Sequence, residues 1–234
     1  MTKINTKMAG YSLIELLVAT LLFTIISGTV FSLLSSSQLT YQGESTIGEA
    51  FQQANVAIDQ IVRDVHSAGY PPASSFSTAV AQAAPDKFAL PFAWSLGYLN
   101  APPTPCTVGG SCGAIPGDYD LILEADTGAG VQWIRYSLQG TTLMRAAVRK
   151  QPFQDPVTST DGALLPYLEN VINQTKAVSI FSYKPDAAIT TTNALNIREV
   201  NISLIVQSAR KDLQTGQFRT VRVTGQAVRF NPNQ

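Results

Sequence analysis

Gly10-Tyr11-Ser12-Leu13-Ile14-Glu15-Leu16-Leu17-Val18 opens an apolar run that continues to Leu34, and the reading of this stretch decides the fold. Leu16 to Leu34 is 19 residues without a formal charge or a proline. As a helix rising about 1.5 Å per residue it is just long enough to cross a bilayer core. Lys3 and Lys7 precede it, and from there to Gln38 the one carboxylate is that of Glu15. An acidic side chain costs roughly 2.5 to 3.5 kcal/mol at mid-membrane and less near an end, so it calls for a partner. A chain cut after Gly10 supplies one. Tyr11 then carries a free ammonium four residues before Glu15, and a neighbouring copy shifted along the helix axis brings its own ammonium to this carboxylate. On this reading Glu15 is an assembly device.

The order of a short basic leader, Gly, aromatic, Ser, Leu, Ile, Glu, Leu and an apolar helix resembles the signal of type IV pilins and of the pseudopilins of type II secretion. The resemblance covers about 25 residues and implies cleavage by a prepilin peptidase between Gly10 and Tyr11, N-methylation of Tyr11, and a role for Glu15 in guiding entry into a helical filament. It also implies the partners: other pilin or pseudopilin subunits, the peptidase and the inner membrane. The chain is then a bacterial single-pass protein with a periplasmic C-terminal domain, passing later into a pilus or pseudopilus. Two plainer readings compete. A secretory signal with Lys3 and Lys7 as its basic region, cut near Ser35-Ser36-Ser37, is opposed by the Glu at the head of the run and by the run's length. A signal anchor explains the span but not the residue order.

At 234 residues the chain allows one ordinary domain beyond the N-terminal segment. Charged residues are 14% and apolar ones 45%, low charge for a soluble enzyme and ordinary for a tethered extracytoplasmic domain. Loss of residues 1–10 leaves 14 basic against 16 acidic side chains, a near-neutral balance that points to no polyanion partner.

No proline follows the apolar run until Pro71, so one helix is predicted from about residue 12 to 68. Ile47, Phe51, Ala54, Ile58, Ile61, Val62 and Val65 recur at spacings of three and four and give one apolar stripe; Glu49, Asp59, Arg63 and Asp64 lie largely off it. Asp59 and Arg63 are spaced as an i,i+4 pair. Gly69 and Pro71-Pro72 end the helix. Gly28 and Gly43 fall inside it; by the pilin analogy they are points of local melting, and close helix packing at a small residue explains them as well.

The expected organisation is a leader over 1–10, a membrane or filament-core helix over 11–34, its amphipathic second half over 35–70, and a head over 71–234. Within the head, 71–118 reads as a variable connector, with Phe88, Phe92, Trp94 and Tyr98 among Ala, Ser, Pro and Gly, and 119–230 as a β-sheet. Tyr119–Ala125, Val131–Leu138, Leu143–Arg149, Ala177–Tyr183, Glu199–Ser208 and Phe218–Phe230 carry strand signals, and Gln139-Gly140 reads as a hairpin turn. Val200, Ile202, Leu204 and Val206 alternate with more polar residues, so one sheet face is apolar. Asp161 to Gln174 is expected to cross between halves of the sheet, with a short helix at Leu164 to Ile172. The fold class is therefore α+β, a long N-terminal helix on an antiparallel sheet. Val131-Gln-Trp-Ile-Arg-Tyr-Ser-Leu-Gln-Gly-Thr-Thr-Leu-Met-Arg145, Asn170-Val171 before Phe181-Ser-Tyr183, and the ending Val228-Arg229-Phe230-Asn231 look like W-type minor pilins and the similar J-type pseudopilins; W-type proteins often have Arg-Asn where Phe230-Asn231 stands.

No nucleophile and base can be assembled, so no enzyme and no cofactor is expected. The single histidine, His66, falls in the last helical turn and reads as a cap. Cys106 and Cys112 lie in a loop rich in Pro, Gly and Ser; in an oxidising compartment they are expected to form a small-loop disulfide, and a zinc site lacks the further ligands it needs. Asp118, Asp120, Glu124 and Asp126 attract calcium in principle, but their spacing is not that of an EF-hand loop and a solvated strand end accounts for them. Arg198, Arg210, Lys211, Arg219, Arg222 and Arg229 outnumber Glu199 and Asp212 near the C-terminus. A nucleic-acid surface could use them, yet no aromatic interleaving supports it and a solvated sheet face is the simpler account. The reading is a minor pilin that primes or tips a type IV pilus; a type II secretion pseudopilin and a DNA-binding tip subunit are the alternatives.

Overall fold

The computed structural model describes residues 12–79, 84–93, 117–152, 154–185, 197–213 and 215–230. Helix α1 runs Leu13–Ser67, within a residue of its predicted ends. It is unbroken at Gly28 and Gly43. Strands β1 (Asp120–Asp126), β2 (Val131–Gln139), β3 (Thr142–Arg149) and β4 (Leu165–Leu168) form one sheet in that order, antiparallel throughout. Strands β5 (Phe181–Pro185), β6 (Ile197–Lys211) and β7 (Phe218–Val228) form a second, with β6 in the middle. The class is α+β, as the sequence implies.

By its contacts the chain divides into two units, Met1–Ser45 with Lys211–Gln217, and Thr46–Arg210 with Phe218–Gln234. In the first, every described residue from Ser12 to Leu34 is exposed, including Leu13, Phe23 and Phe31. Threonines return their hydroxyls to the helix itself: Thr20, Thr24 and Thr29 donate to the carbonyls of Leu17, Leu21 and Ile26. That satisfies a polar group without water, a requirement inside lipid. The 211–217 turn closes on Asp212, whose N–H donates to Gln217 O and whose carboxylate accepts from Thr215 N.

The second unit holds the core. Ala54, Ala57, Ile58, Ile61 and Val65 of α1, with Ala68 just beyond it, pack with Leu121, Leu123, Trp133, Ile134 and Tyr136 of the first sheet and with Val200, Ile202, Leu204 and Val206 of the second. The apolar stripe is as predicted from Ala54 onward, while Phe51 is 46% exposed and Ile47 only half-buried and outside the core. Arg63 does not pair with Asp59; it donates to Gln60 Oε1, one residue closer along the same face. Gly69, at φ +82°, ends the helix in a left-handed conformation and donates its N–H to Glu124 O, while Asp126 N–H donates to Tyr70 O. The end of α1 is therefore stitched to the edge of β1.

Two expectations fail between β3 and β5. The helix expected at Leu164 to Ile172 is absent; a short helix α2 (Pro156–Asp161) lies earlier, and Leu165–Leu168 is β4. Asp155 caps α2 by accepting from Val157 N and Thr158 N, with Pro156 at the first helical position. The Asp-Pro signal is in the sequence, while the apolar run Ala163 to Leu168 masks it. Ala177, predicted to start a strand, has φ 51° and sits in a turn, so β5 begins at Phe181. Residues 170–173 do make the expected crossing: Val171 N donates to Thr141 O at the β2–β3 turn, and Ile172 N to Ile205 O of β6.

The helix approaches β7 at Gly225, where an added Cβ would lie 2.4 Å from Ile58 Cγ2. A β-branched methyl cannot swing away, so overpacking there costs about 1 to 3 kcal/mol. Gly225→Ala is expected to lower the urea midpoint of the full chain in detergent, and Ile58→Ala in the same chain to recover part of the loss. Equal midpoints for wild type and Gly225→Ala would contradict this packing.

Candidate functional site

Of the residues singled out by sequence, Gly10, Tyr11, Cys106 and Cys112 lie outside the described residues. Glu15 is described. It sits in the first turn of α1, exposed, and its Oε2 accepts a hydrogen bond from Ser12 N at 3.2 Å. Leu16 N donates to Ser12 O, so Ser12 is the N-cap and Glu15 the third helical residue. This is one half of a capping box, in which an acid reaches back to the N-cap amide. The carboxylate also faces the positive end of the helix dipole. Glu15 is thus held over the first turn of α1, on the amide of Ser12.

The other acids are used within the head. Asp64, assigned by pattern to the polar side of the helix, is instead 5% exposed. Its Oδ2 accepts from Tyr136 Oη at 2.5 Å and Arg145 at 3.0 Å, and its Oδ1 from Gln60 Nε2 at 2.8 Å. Arg145 also lies over the Tyr136 ring. Burial, with the Asp64 charge second, raises the Tyr136 hydroxyl far above the ordinary phenol range. Tyr183 is raised too, chiefly by burial.

The acidic cluster of β1 is dispersed among three partners. Asp120 takes a two-pronged contact from Arg135, at 3.1 and 2.7 Å, and Arg135 also reaches Asp161 and the Val157 carbonyl of α2. Glu124 Oε2 accepts from Lys150 Nζ at 2.6 Å and from Leu90 N at 2.7 Å, and its Oε1 from Trp133 Nε1 at 2.8 Å. Lys150 donates in turn to Phe88 O. Asp126 accepts from the amides of Gly128 and Gly130. The carboxylates of Asp120, Glu124 and Asp126 each have their own donors, Asp118 is exposed, and among the described residues no group of three or more His, Cys, Asp or Glu could hold a metal ion.

His66 is in the last turn of α1, as expected, but its ring packs on Phe230 at 4.5 Å. Of the C-terminal basic residues, Arg229 is buried beside Phe92 and leaves the exposed set. Phe88 and Phe92 of the connector belong to the buried core, and Phe92 bridges to Leu123 at the edge of β1. Trp94 and Tyr98 lie outside the described residues. The buried Asp64–Tyr136–Arg145 and Glu124–Lys150 networks were missed by sequence reasoning. Only their chemistry, an acid inside an apolar stripe and a Lys ending a strand, hints at them. α1 is, among the described residues, the one helix long and apolar enough to cross a membrane. No protein-family model, curated protein or solved structure matches the chain.

Two consequences are measurable. Lys150→Met leaves Glu124 charged and buried without its cation, a loss of about 3 to 5 kcal/mol; Glu124→Gln in the same chain is expected to restore most of it in urea melts. For Tyr136 the folded state holds the proton more tightly than the ordinary value of 10.0. Its contribution to stability is therefore complete below about pH 10 and lost as pH rises beyond it. Tyr136→Phe should be less stable near neutrality, by about 1 to 3 kcal/mol, and should lose less stability between about pH 9 and pH 11 than wild type. Parallel alkaline profiles for the two proteins would refute the assignment.

Proposed function

We propose that the chain is a minor pilin, a structural and non-enzymatic subunit that helps to start or tip a type IV filament. The observation that carries this is the division of labour along α1. Its first 22 residues, Leu13–Leu34, are exposed, apolar and about 33 Å long, with one carboxylate in the first turn; its later residues, from Ala54 to Val65, supply part of the core of the head. An exposed apolar surface of that length needs lipid or other helices around it. A lipid span alone uses Glu15 only as a cap on its own helix; a helical bundle of such subunits gives the carboxylate a charged partner.

In the proposed mechanism the membrane holds the subunit by Leu13–Leu34, and the peptidase cut between Gly10 and Tyr11 frees an ammonium. Glu15 of an incoming subunit pairs with the Tyr11 ammonium of its neighbour, which fixes the stagger while the helices exchange lipid for one another. The capped position of Glu15 supports this reading, because the carboxylate is already turned toward the chain start. A type II secretion pseudopilin uses the same physics, and the resemblance to J-type proteins favours it next; the genes beside this one separate the two. The DNA-binding reading is weakened by the burial of Arg229.

The deciding measurement is the intact mass and N-terminal sequence of the protein from native membranes, with and without prepilin peptidase. The expected mature chain begins at methylated Tyr11; a start near residue 38 would overturn the proposal. Glu15→Leu is expected to be processed normally yet to be absent from sheared filaments. Its incorporation at the wild-type level would remove the assembly role given to that carboxylate.

A further inference from the structure

The solvent side of β5, β6 and β7 carries polar chemistry that the core does not use. Along β6, Val200, Ile202 and Leu204 are buried, so alternation places Asn201 and Ser203 on the opposite face. Over that face lies a cavity of about 560 Å³, within the roughly 300 to 1,000 Å³ of small-molecule sites. Its lining includes Ser182 of β5, Asn201 and Ser203 of β6, and Arg222, Thr224 and Gln226 of β7.

A sheet face is ordinarily flat, and here the Val178–Ile180 segment also lines the cavity. That segment is fixed from beneath. The fully buried Asn173 donates to Val178 O at 3.2 Å and to Ser203 O at 2.7 Å, and accepts from Ile205 N at 2.7 Å. Ser203 N donates to Ile180 O at 2.8 Å. The groove is therefore built before any ligand arrives, which lowers the ordering cost of binding.

Arg222 is the one charged side chain among the eleven lining residues. Its Nε donates to Ser203 Oγ at 2.9 Å, which anchors the guanidinium plane; its two terminal amino groups have no acceptor among the described residues. Such a pair of donors matches a carboxylate in two-pronged geometry. Glu199 of β6 is paired with Lys184 at 2.6 Å, and Asn201 and Gln226 each bring an amide to the groove. An amide that donates its N–H keeps a carbonyl acceptor for a ligand hydroxyl. Seven of the eleven lining residues carry a hydroxyl, an amide or a guanidinium. A ligand with a polar group on nearly every carbon matches that lining better than a peptide, whose apolar side chains would find few partners.

We propose that this groove binds an acidic saccharide, with Arg222 taking the carboxylate of a uronic-acid unit and Ser182, Asn201, Thr224 and Gln226 meeting its hydroxyls. The site lies in the head and does not depend on how the apolar helix is used.

The test is a calorimetric titration of the full chain in detergent with trigalacturonate, and with maltotriose as the uncharged comparison. Saturable binding of the acidic trisaccharide, weakened by salt and absent for maltotriose, is expected. Arg222→Gln should weaken it by roughly tenfold or more, since a hydrogen-bonded ion pair is lost. Ser203→Ala, which frees the guanidinium without altering charge, should weaken it less. Arg210→Gln, exposed and outside the groove, should leave it unchanged. The thermal midpoint of each variant reports folding, and if Arg222→Gln does not fold, Ser203→Ala with Thr224→Val carries the same comparison. No binding at millimolar trigalacturonate, equal binding by the groove variants, or tighter binding of a hexaglutamate peptide would overturn the proposal.

Discussion

Asp64 lies in the second half of α1, on the face that the sheets cover, and its carboxylate meets Tyr136 of β2 and Arg145 of β3. Packing by apolar residues alone is non-directional, and a helix so held can shift with little change in buried area. A buried carboxylate removes that freedom, because a shift strands a charge at a cost of several kcal/mol. Gly225 acts alongside it by admitting Ile58 at a distance no larger residue allows. The remaining core contacts follow from these two fixed points. Replacement of such an ion pair by apolar residues need not reduce stability, so its use here is better understood as setting register.

A second buried pair plays the matching part at the end of the helix. Glu124 and Lys150 draw in Leu90 N and Phe88 O from the connector, while the backbone of Glu124 takes the N–H of Gly69. The chain leaving α1 is thus tied to β1 at several points within a few residues. Without those donors Glu124 would be an isolated charge in a dry site, and without Glu124 the segment 84–93 would lose the acceptor that holds it to the strand edge. Each element makes the other tolerable.

Much of this was legible in the sequence, and the part that was not has physical reasons. The helix was readable because Leu16 to Leu34 has no break and because Ala54, Ile58, Ile61 and Val65 keep one period. The strands were readable wherever alternation was clean, as from Val200 to Val206. Asp64 was not, since helical periodicity sorts residues by polarity and has no means of marking an acid whose partners arrive from residues 136 and 145. β4 was missed because a four-residue strand containing Pro166 has too little pattern, and Asp155-Pro156 signalled α2 only to a reader looking for caps. At the candidate site Glu15 stood out as the single charge in an apolar run. Its contact with Ser12 was implicit in the Ser-x-x-Glu spacing, which the membrane reading overshadowed.

In the filament role proposed for this chain, that spacing bears on how one carboxylate would serve two states. Near the end of a span an acid costs less than the roughly 2.5 to 3.5 kcal/mol of mid-membrane, and its place at the positive end of its own helix offsets part of what remains, by about 0.3 to 1 kcal/mol at exposed sites. The subunit can therefore wait in a bilayer without a partner for Glu15. An ammonium is a stronger partner than a neutral amide, since it sets a full positive charge rather than a partial one against the carboxylate. Transfer of the carboxylate from Ser12 N to a neighbour's chain start is then favourable without being irreversible. The Ser12 amide released by that exchange stays in the same helical turn as Glu15, so the reverse step needs no rearrangement of the helix. A filament built on such an exchange could both grow from and return to the membrane.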